Sequence, residues 1–507
     1  MIRVTTKRSL MLRHVKFCST VAERVSKVSV GGVNQPYVPD RNVLPRLDSE
    51  KVSSEISEIS AAHWDDSAWD EESLRVAANE NVVATWGPSK AVRGLPFLTH
   101  GEGVYLYDRD GKEYLDWTSQ AVCANLGHTV PESIQNAVAK QMNDLPMVYG
   151  GLGLVEVRAR LAHLMSEICP GDLNGFVFPS GGGEANEAAI RIARRFTGRH
   201  KILNQYRSYH GGSTTSLTAT GDFRRWFAES GASGFVKMFN AQPFGFKFAD
   251  SDEEKTELLL NMLDEQIRME GPQTVAAIML EPIVGAGGAL IPPKGYVEGV
   301  RALCDKYEIL LIADEVMVGF GRTGKFWGFQ HFEGVIPDIL TSAKGLSASV
   351  LPLAVVGMRQ NIKDFFYENP LGWGATYANH PVALACAYES VKHVIKERLP
   401  ERAAKLESVM VEEMESIVER HSCVRQARAI GLFGCLDLVG QDENMIQKYQ
   451  DPNPPEVIAL RKAMLDEGLM GLFRPPLLHC APPLVIQEDE LRDGFKRLGR
   501  ALTVADW

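Results

Sequence analysis

"ILLIADEVMVGFGRTGKFWGFQ", residues 309–330, opens as a buried strand and closes as a polar loop broken by glycines. Ile309, Leu310, Leu311 and Ile312 form a continuous apolar run, the pattern of a strand covered on both faces in a parallel sheet. Asp314 and Glu315 follow at once. A carboxylate at the end of such a strand is costly unless a cap, a hydrogen-bonded polar group or a cation answers it.

The same rhythm extends in both directions. "NGFVFPSGGGEANEAAIRIARRFTG" reads as strand, glycine loop and helix, and "TVAAIMLEPIVGAGG" as a buried strand ending in a loop. "GYVEGVRALCDKYE" is helical, and "DILTSAKG" and "LPLAVVGM" follow, the second strand-like. Buried strands alternating with helices predict an α/β fold with a mostly parallel sheet. "GVYLYDRDGKEYLD" alternates around Asp110-Gly111, a hairpin signal, while "PESIQNAVAKQMNDL" and "VEVRARLAHLMSEIC" have helical spacing. Two long helical patterns fill much of the stretch after 380, and a shorter mixed segment runs to Trp507.

The 507 residues carry 54 basic and 64 acidic side chains, a net charge of −10, which argues against a nucleic-acid partner. No apolar run reaches the roughly 18 residues of a membrane span. The eight cysteines form no CxxC, so neither a metal site nor a disulfide framework is expected. Residues 1–30 hold Arg3, Lys7, Arg8, Arg13, Lys16, Arg24 and Lys27 against one acid, Glu23: the composition of a mitochondrial transit peptide, with a plastid address as the alternative. We expect a linker over 31–75, the N-terminal part of a small domain over 76–120, a large domain over 121–380, and the rest of the small domain over 381–507.

In an open α/β sheet, ligands bind beyond the carboxyl ends of the strands. Three features there carry chemistry. Ser180 to Glu184 place glycines before a helix, where free backbone amides make an anion site; a tight strand-to-helix turn is the plainer alternative. Asp314 is either a buried, hydrogen-bonded acid or the partner of a cationic ring nitrogen. Lys344, in "TSAKGLS", is either solvated or a desolvated amine able to condense with an aldehyde. Phosphate loop, ring-nitrogen acid and Schiff-base lysine in this order describe a pyridoxal phosphate site.

The stretch from Leu310 to Gly345, with "GEANE", "YHGGS", "EPIVGAGG", "GATYANHP" and "ARAIGL", resembles the class III aminotransferases over roughly residues 80–500. The resemblance implies fold type I, like aspartate aminotransferase: a mostly parallel large-domain sheet with a smaller α/β domain. It also implies a homodimer, or a tetramer, with active sites at the subunit interface. It makes Lys344 the Schiff-base lysine and proton shuttle, and Asp314 the acid behind the pyridine nitrogen. Tyr209 and Val316 would flank the ring, Gly182 and Gly183 would hold the phosphate, and His210 and Glu281 join the cofactor-binding set. Thr376 would reach the neighbouring subunit's phosphate, and Arg428 would receive the substrate carboxylate. Gly183 stands where the family has Ser or Thr, so one phosphate hydrogen bond is lost or moves to Ser180 or a water. Ser349 replaces a preferred glycine.

Relatives that use 2-oxoglutarate place a glutamate five residues after the Glu of "EP", where it neutralises the arginine; here that position is Ala286. With Met317 in place of a usual glutamine, the pattern looks like the pyruvate-using branch. Its donors are taurine, β-alanine or 4-aminobutyrate, and its products an aldehyde and alanine. Alanine–glyoxylate or 2-oxoglutarate-dependent transamination is the alternative. Another acid answering Arg428 would remove the argument. Substrate-facing residues before 120, Trp86 and Trp117 among them, have no pattern that places them.

Overall fold

Ile309 and its neighbours enter the middle of a sheet whose members are nearly all apolar. The computed structural model describes residues 69–91, 93–227, 231–242, 247–440 and 455–506. The transit-like stretch 1–30 and most of the expected linker lie outside the described residues. The chain divides into two compact units between Leu95 and Pro96. In the first, a helix spans Glu71–Asn81, with the Asp70 carboxylate accepting the Ser73 N–H at 2.8 Å. The last residues of the expected linker are therefore helical: an Asp at the N-cap and two glutamates in the first turn outweigh the lack of apolar periodicity.

The second unit begins with three antiparallel strands, β1 (Leu98–Glu102), β2 (Tyr105–Asp108) and β3 (Glu113–Asp116), and β2 and β3 form the hairpin expected at Asp110-Gly111. Seven strands build the large sheet: β4 (Leu173–Val177), β5 (Lys201–Gln205), β6 (Phe235–Met238), β7 (Val275–Leu280), β8 (Leu310–Asp314), β9 (Ile339–Ser342) and β10 (Val355–Arg359). Their order is β4-β10-β9-β8-β7-β5-β6, parallel from β9 to β6, with β10 antiparallel to both neighbours. Every residue of β7 and β8 is buried, which is why both read as unbroken apolar runs.

Five more strands follow: β11 (Val424–Ile430), β12 (Phe433–Leu438), β13 (Leu469–Met470), β14 (Phe473–Arg474) and β15 (Leu477–Cys480). β13 pairs parallel with β3, so the end of the chain completes the sheet begun at Leu98, and β11-β12-β15-β14 form a further antiparallel sheet. Trp117 is fully buried in the core shared by these segments, with its ring edge-on to Phe495 at 4.8 Å; it is a packing residue. Trp86, in the first unit, is exposed.

The turn after β9 is held in a costly conformation. Lys344, Ala348 and Ser349 have φ of 33°, 49° and 58°, in the left-handed region that favours glycine. The φ of Ser349 fits the family's preference for glycine at this position, and its N–H closes back onto the Lys344 carbonyl at 3.1 Å. Ser349→Gly should raise the thermal midpoint, a stabilisation of up to about 1 kcal/mol. An unchanged or lower midpoint would show that the turn stores no strain at Ser349.

Candidate active site

Ser180, Tyr209, His210, Glu281, Asp314 and Lys344 lie at or just past the carboxyl ends of β4, β5, β7, β8 and β9, whereas Thr376 and Arg428 come from elsewhere in the chain. Asp314, nearly fully buried, is the centre. Its Oδ2 accepts from Asn186 Nδ2 at 2.8 Å and from His210 Nδ1 at 2.7 Å, and its Oδ1 accepts from the Val316 N–H at 3.0 Å. Asn186 is itself fixed: Thr341 Oγ1 donates to its Oδ1 at 2.7 Å, and it also donates to the His210 carbonyl at 2.6 Å. Glu315 does separate work. Its two oxygens each accept, at 2.7 Å, from the Gly328 and Phe329 N–H groups, shaping the loop after β8. The pair of carboxylates after the apolar run thus has one member for the site and one for the fold.

The helix Gly182–Thr197 starts after β4 with Gly181 as an N-cap that contributes no side-chain hydrogen bond. Its first turn therefore keeps its amides and its positive pole for an anion. A Cβ on Gly182 would stand 2.9 Å from Val316 Cγ1, so the side chain predicted to flank the ring packs over the predicted phosphate loop. At Gly183 a Cβ would meet only ordinary contacts, Gly211 Cα at 3.5 Å being the nearest, so sterics do not demand glycine there. Ser180 donates its N–H to Glu184 Oε2 at 2.9 Å.

Tyr209 and Glu281 are joined: Glu281 accepts the Tyr209 N–H at 2.9 Å and the Gly285 N–H at 2.7 Å. Burial pushes the Glu281 carboxyl up to about 7. The Arg224 guanidinium lies 3.5 Å from the centre of the Tyr209 ring, and it is neutralised by Asp222, with Nε to Oδ2 at 2.9 Å. Lys344 Nζ donates to the Ala121 carbonyl at 3.0 Å. Burial pulls its pKa down to about 8, with the positive charge of Arg474 acting in the same sense. Thr376 is exposed.

Arg428 requires a correction. The sequence leaves it with no acid at position 286, and Ala286 is indeed a buried methyl. Asp437 on the neighbouring strand β12 answers it instead, with Nη1 to Oδ2 at 2.7 Å and the second nitrogen on Oδ1. The two side chains are 7% and 10% exposed, and Arg428 Nε also donates to the Gly288 carbonyl at 3.0 Å. The signal was present in the hairpin: Gly431, at φ 57°, turns β11 into β12 and brings both residues onto one face. Met317, the other position cited for the acceptor, packs against Gly285.

Three further residues escaped the sequence reading. Asn186 is one. Arg322, fully buried, donates to the Leu432 and Pro482 carbonyls, to Ser119 Oγ at 3.0 Å and to Asn125 Oδ1 at 2.9 Å. It thereby ties down a segment with left-handed φ at Ser119, Gln120 and Val122, whose Ala121 carbonyl holds Lys344. Arg474, half-buried on β14, is the third.

A model of the aminotransferase class-III family matches residues 88–502. The taurine–pyruvate aminotransferase of Bilophila wadsworthia is 34% identical over 67% of this chain and 76% of its own length. The diaminobutyrate–2-oxoglutarate transaminase of Halomonas elongata is 29% identical over 80% of this chain and 89% of its own. Among solved structures, taurine:2-oxoglutarate aminotransferase from Bifidobacterium kashiwanohense, in complex with PLP and glutamate, superposes with a TM-score of 0.80 at 37% identity. It covers 86% of this chain and 98% of that one.

The residues fit such a cofactor. An uncapped helix start opening on two glycines offers backbone amides to a phosphate, a buried carboxylate held by three donors suits a protonated ring nitrogen, and a desolvated amine suits an aldehyde. Only the neutral form of Lys344 is a nucleophile, and its pKa lies near 8. Uptake of pyridoxal phosphate by the apoenzyme, followed by absorbance, should therefore accelerate as pH rises and level off above about 8, falling about tenfold per unit on the acid side. A rate flat between pH 6 and 9 would remove the depressed amine.

Proposed function

This chain belongs to the class III aminotransferases, pyridoxal phosphate enzymes, and on that premise we propose that it moves an amino group from a terminal-amine donor of the taurine, β-alanine or 4-aminobutyrate kind to pyruvate. The observation that carries the donor class is the Arg428–Asp437 pair. A primary-amine donor has hydrogen where an α-amino acid has its carboxylate. Were Arg428 unpaired, each such donor would leave a buried cation unanswered, at a cost of several kcal/mol. Closed on Asp437, the guanidinium demands nothing of the donor.

The same pair serves the other half of the cycle. A keto acid brings a planar carboxylate that matches the guanidinium fork, and it takes the place of Asp437. The exchange is near-balanced, one carboxylate for another, so Arg428 accepts both kinds of substrate in turn. Asp437 thereby performs the switch that Ala286 cannot.

The cofactor supplies an aldehyde carbon for the amine and a protonated ring that accepts the electrons left when the donor's proton departs. The chain's own groups do the rest. Lys344 Nζ, half-buried and neutral at mildly alkaline pH, takes that proton and returns it, and the Ala121 carbonyl offers it a fixed resting place. Asp314 provides a fixed negative charge whose position Asn186, His210 and Val316 leave no freedom to change. Glu281 holds the Tyr209 and Gly285 backbones together and so shapes the wall between the predicted ring site and the arginine.

Pyruvate is favoured by the taurine–pyruvate relative; the argument from Ala286 falls away, because Asp437 answers Arg428. 2-Oxoglutarate is the second reading, because Asp437 supplies an acid for Arg428 after all and because the taurine enzyme with the 37% identical structure uses it. We also propose a homodimer. Tyr149, Leu152, Leu154 and Tyr377 are 54%, 86%, 86% and 65% exposed, and Gly150 lies against Asn379, close to Thr376. Large side chains so exposed on adjoining segments mark a surface that another subunit covers.

The holoenzyme, offered taurine, β-alanine and 4-aminobutyrate in turn with pyruvate, 2-oxoglutarate and glyoxylate, should form alanine from pyruvate fastest. Turnover of α-amino acids alone, with no terminal amine used, would overturn the donor class; faster glutamate formation would replace pyruvate with 2-oxoglutarate. Sedimentation should show a dimer, and the Leu152→Asp, Leu154→Asp double variant should shift it towards monomer and weaken cofactor retention. A wild-type monomer retaining full activity would dispose of the second subunit.

A further inference from the structure

The stretch Tyr209 to Gly212 leads into a short helix, Thr214–Ala219, whose two ends are held by opposite charges from different elements. At its start Glu187, in the helix Gly182–Thr197, accepts the Thr215 and Ser216 N–H groups on Oε1, both at 3.0 Å. At its end Lys237 Nζ donates to the carbonyls of Thr218, Ala219 and Thr220, each at 2.8 Å. An acid at the first turn and a cation at the last both suit the helix dipole. Three donors for three carbonyls are the whole inventory of an ammonium group. Lys237 stands on β6, the edge strand of the large sheet, and its partner on β5, Asn204, also donates to the Ala219 carbonyl.

The residues just past that end return to the site. Thr220, fully buried, accepts the His210 N–H on its hydroxyl at 3.0 Å, and the His210 ring bonds to Asp314 at 2.7 Å. The Gly221 and Asp222 N–H groups both donate to the Ser208 carbonyl, at 3.0 Å and 3.2 Å. A Cβ on Gly221 would lie 2.1 Å from the Gln205 carbonyl, so the two segments touch along their backbones. Asp222 in turn pairs with Arg224, which lies against the Tyr209 ring. Three hydrogen bonds in series therefore join an amine on the edge strand to the buried carboxylate. They run from Lys237 to the Thr220 carbonyl, from the Thr220 hydroxyl to His210, and from the His210 ring to Asp314.

We propose that Lys237 is a positioning residue for the cofactor site: by closing the last turn of the helix Thr214–Ala219 it fixes Thr220, and through Thr220 the His210 that holds Asp314. The proposal rests on the cofactor chemistry of the family and is independent of which amine or keto acid is used. Without the amine the three carbonyls lose these donors, and the turn at 220–222 is held less firmly against Ser208 and His210. Burial and Arg225 draw the Lys237 amine down to about 7, with Asp222 opposing them, so the three-donor hold is complete on the acid side of neutrality.

The test compares the full chain with its Lys237→Met, Lys237→Gln and Thr220→Val variants. In the apoenzyme at pH 6.5, hydrogen exchange of the His210 and Gly221 amides should quicken at least about tenfold in Lys237→Met, and less in Lys237→Gln, which keeps two donors. In the holoenzyme, the pH midpoint of the bound cofactor's visible absorbance reports the charges fixed around its ring. That midpoint should move by at least about half a unit in Lys237→Met and in Thr220→Val, and the double variant should move it no further. A lowered thermal midpoint with exchange and absorbance unmoved would make Lys237 a helix cap and nothing more, and would overturn the proposal. Shifts that add in full in the double variant would overturn it too, since Lys237 would then act by a route other than Thr220. Should Lys237→Met not fold, Lys237→Gln and Thr220→Val carry the same comparison.

Discussion

The Asp314 carboxylate, lodged at the end of an apolar strand, is the constraint around which the site is built. Removed from water, it must be answered on both oxygens, and the chain answers it from two other elements: Asn186 in the helix after β4 and His210 after β5, with Val316 from its own loop. Each answer fixes something else. Asn186 stands in the helix that starts at Gly182, whose uncapped first turn lies beside Val316. His210 follows Tyr209, whose N–H Glu281 accepts. A buried charge is expensive, and the expense is what makes the arrangement unique: displacing any of these partners leaves it unpaired.

A second constraint acts on charge of the opposite sign. Arg322 is buried with no ion pair among the described residues and spends its donors on two carbonyls and two side chains, and burial pulls its pKa down to about 9. Those bonds tie the loop after β8, the segment around Ser119 and the chain near Pro482 into one piece. The Lys344 amine rests on a carbonyl of that piece. The lysine is thus positioned by an arginine that never touches it. Arg428 shows the other way to bury a cation, by supplying an acid from the next strand. In the proposed function that acid gives way to a substrate's carboxylate, whereas the carbonyls around Arg322 hold it within the fold.

The active-site motifs were legible because each is short and ends a strand. Apolar runs over 275–280 and 310–314 gave the sheet, and the polar residues just past them gave the site. The hairpin at Asp110-Gly111 and the helix after Gly181 follow from local turn chemistry. The segment after 420 was not legible in the same way. β13 and β14 have two residues each, too short for any periodicity, and their partners lie far away, β13 beside β3. Trp117 had no pattern because its environment is assembled from both ends of the second unit.

What the sequence determined by itself is the order of the candidate groups: a glycine loop before a helix, an acid ending a buried strand and a lysine after the next strand, since side-chain period, glycine freedom and strand burial act within a few residues. What only the tertiary structure decided is the pairing. Asn186 and Asp314 are separated by 128 positions, and the answer to Arg428 came from Asp437 rather than from position 286. Which charges neutralise one another depends on strand order and register, set by packing across the whole unit, and no local spacing encodes that.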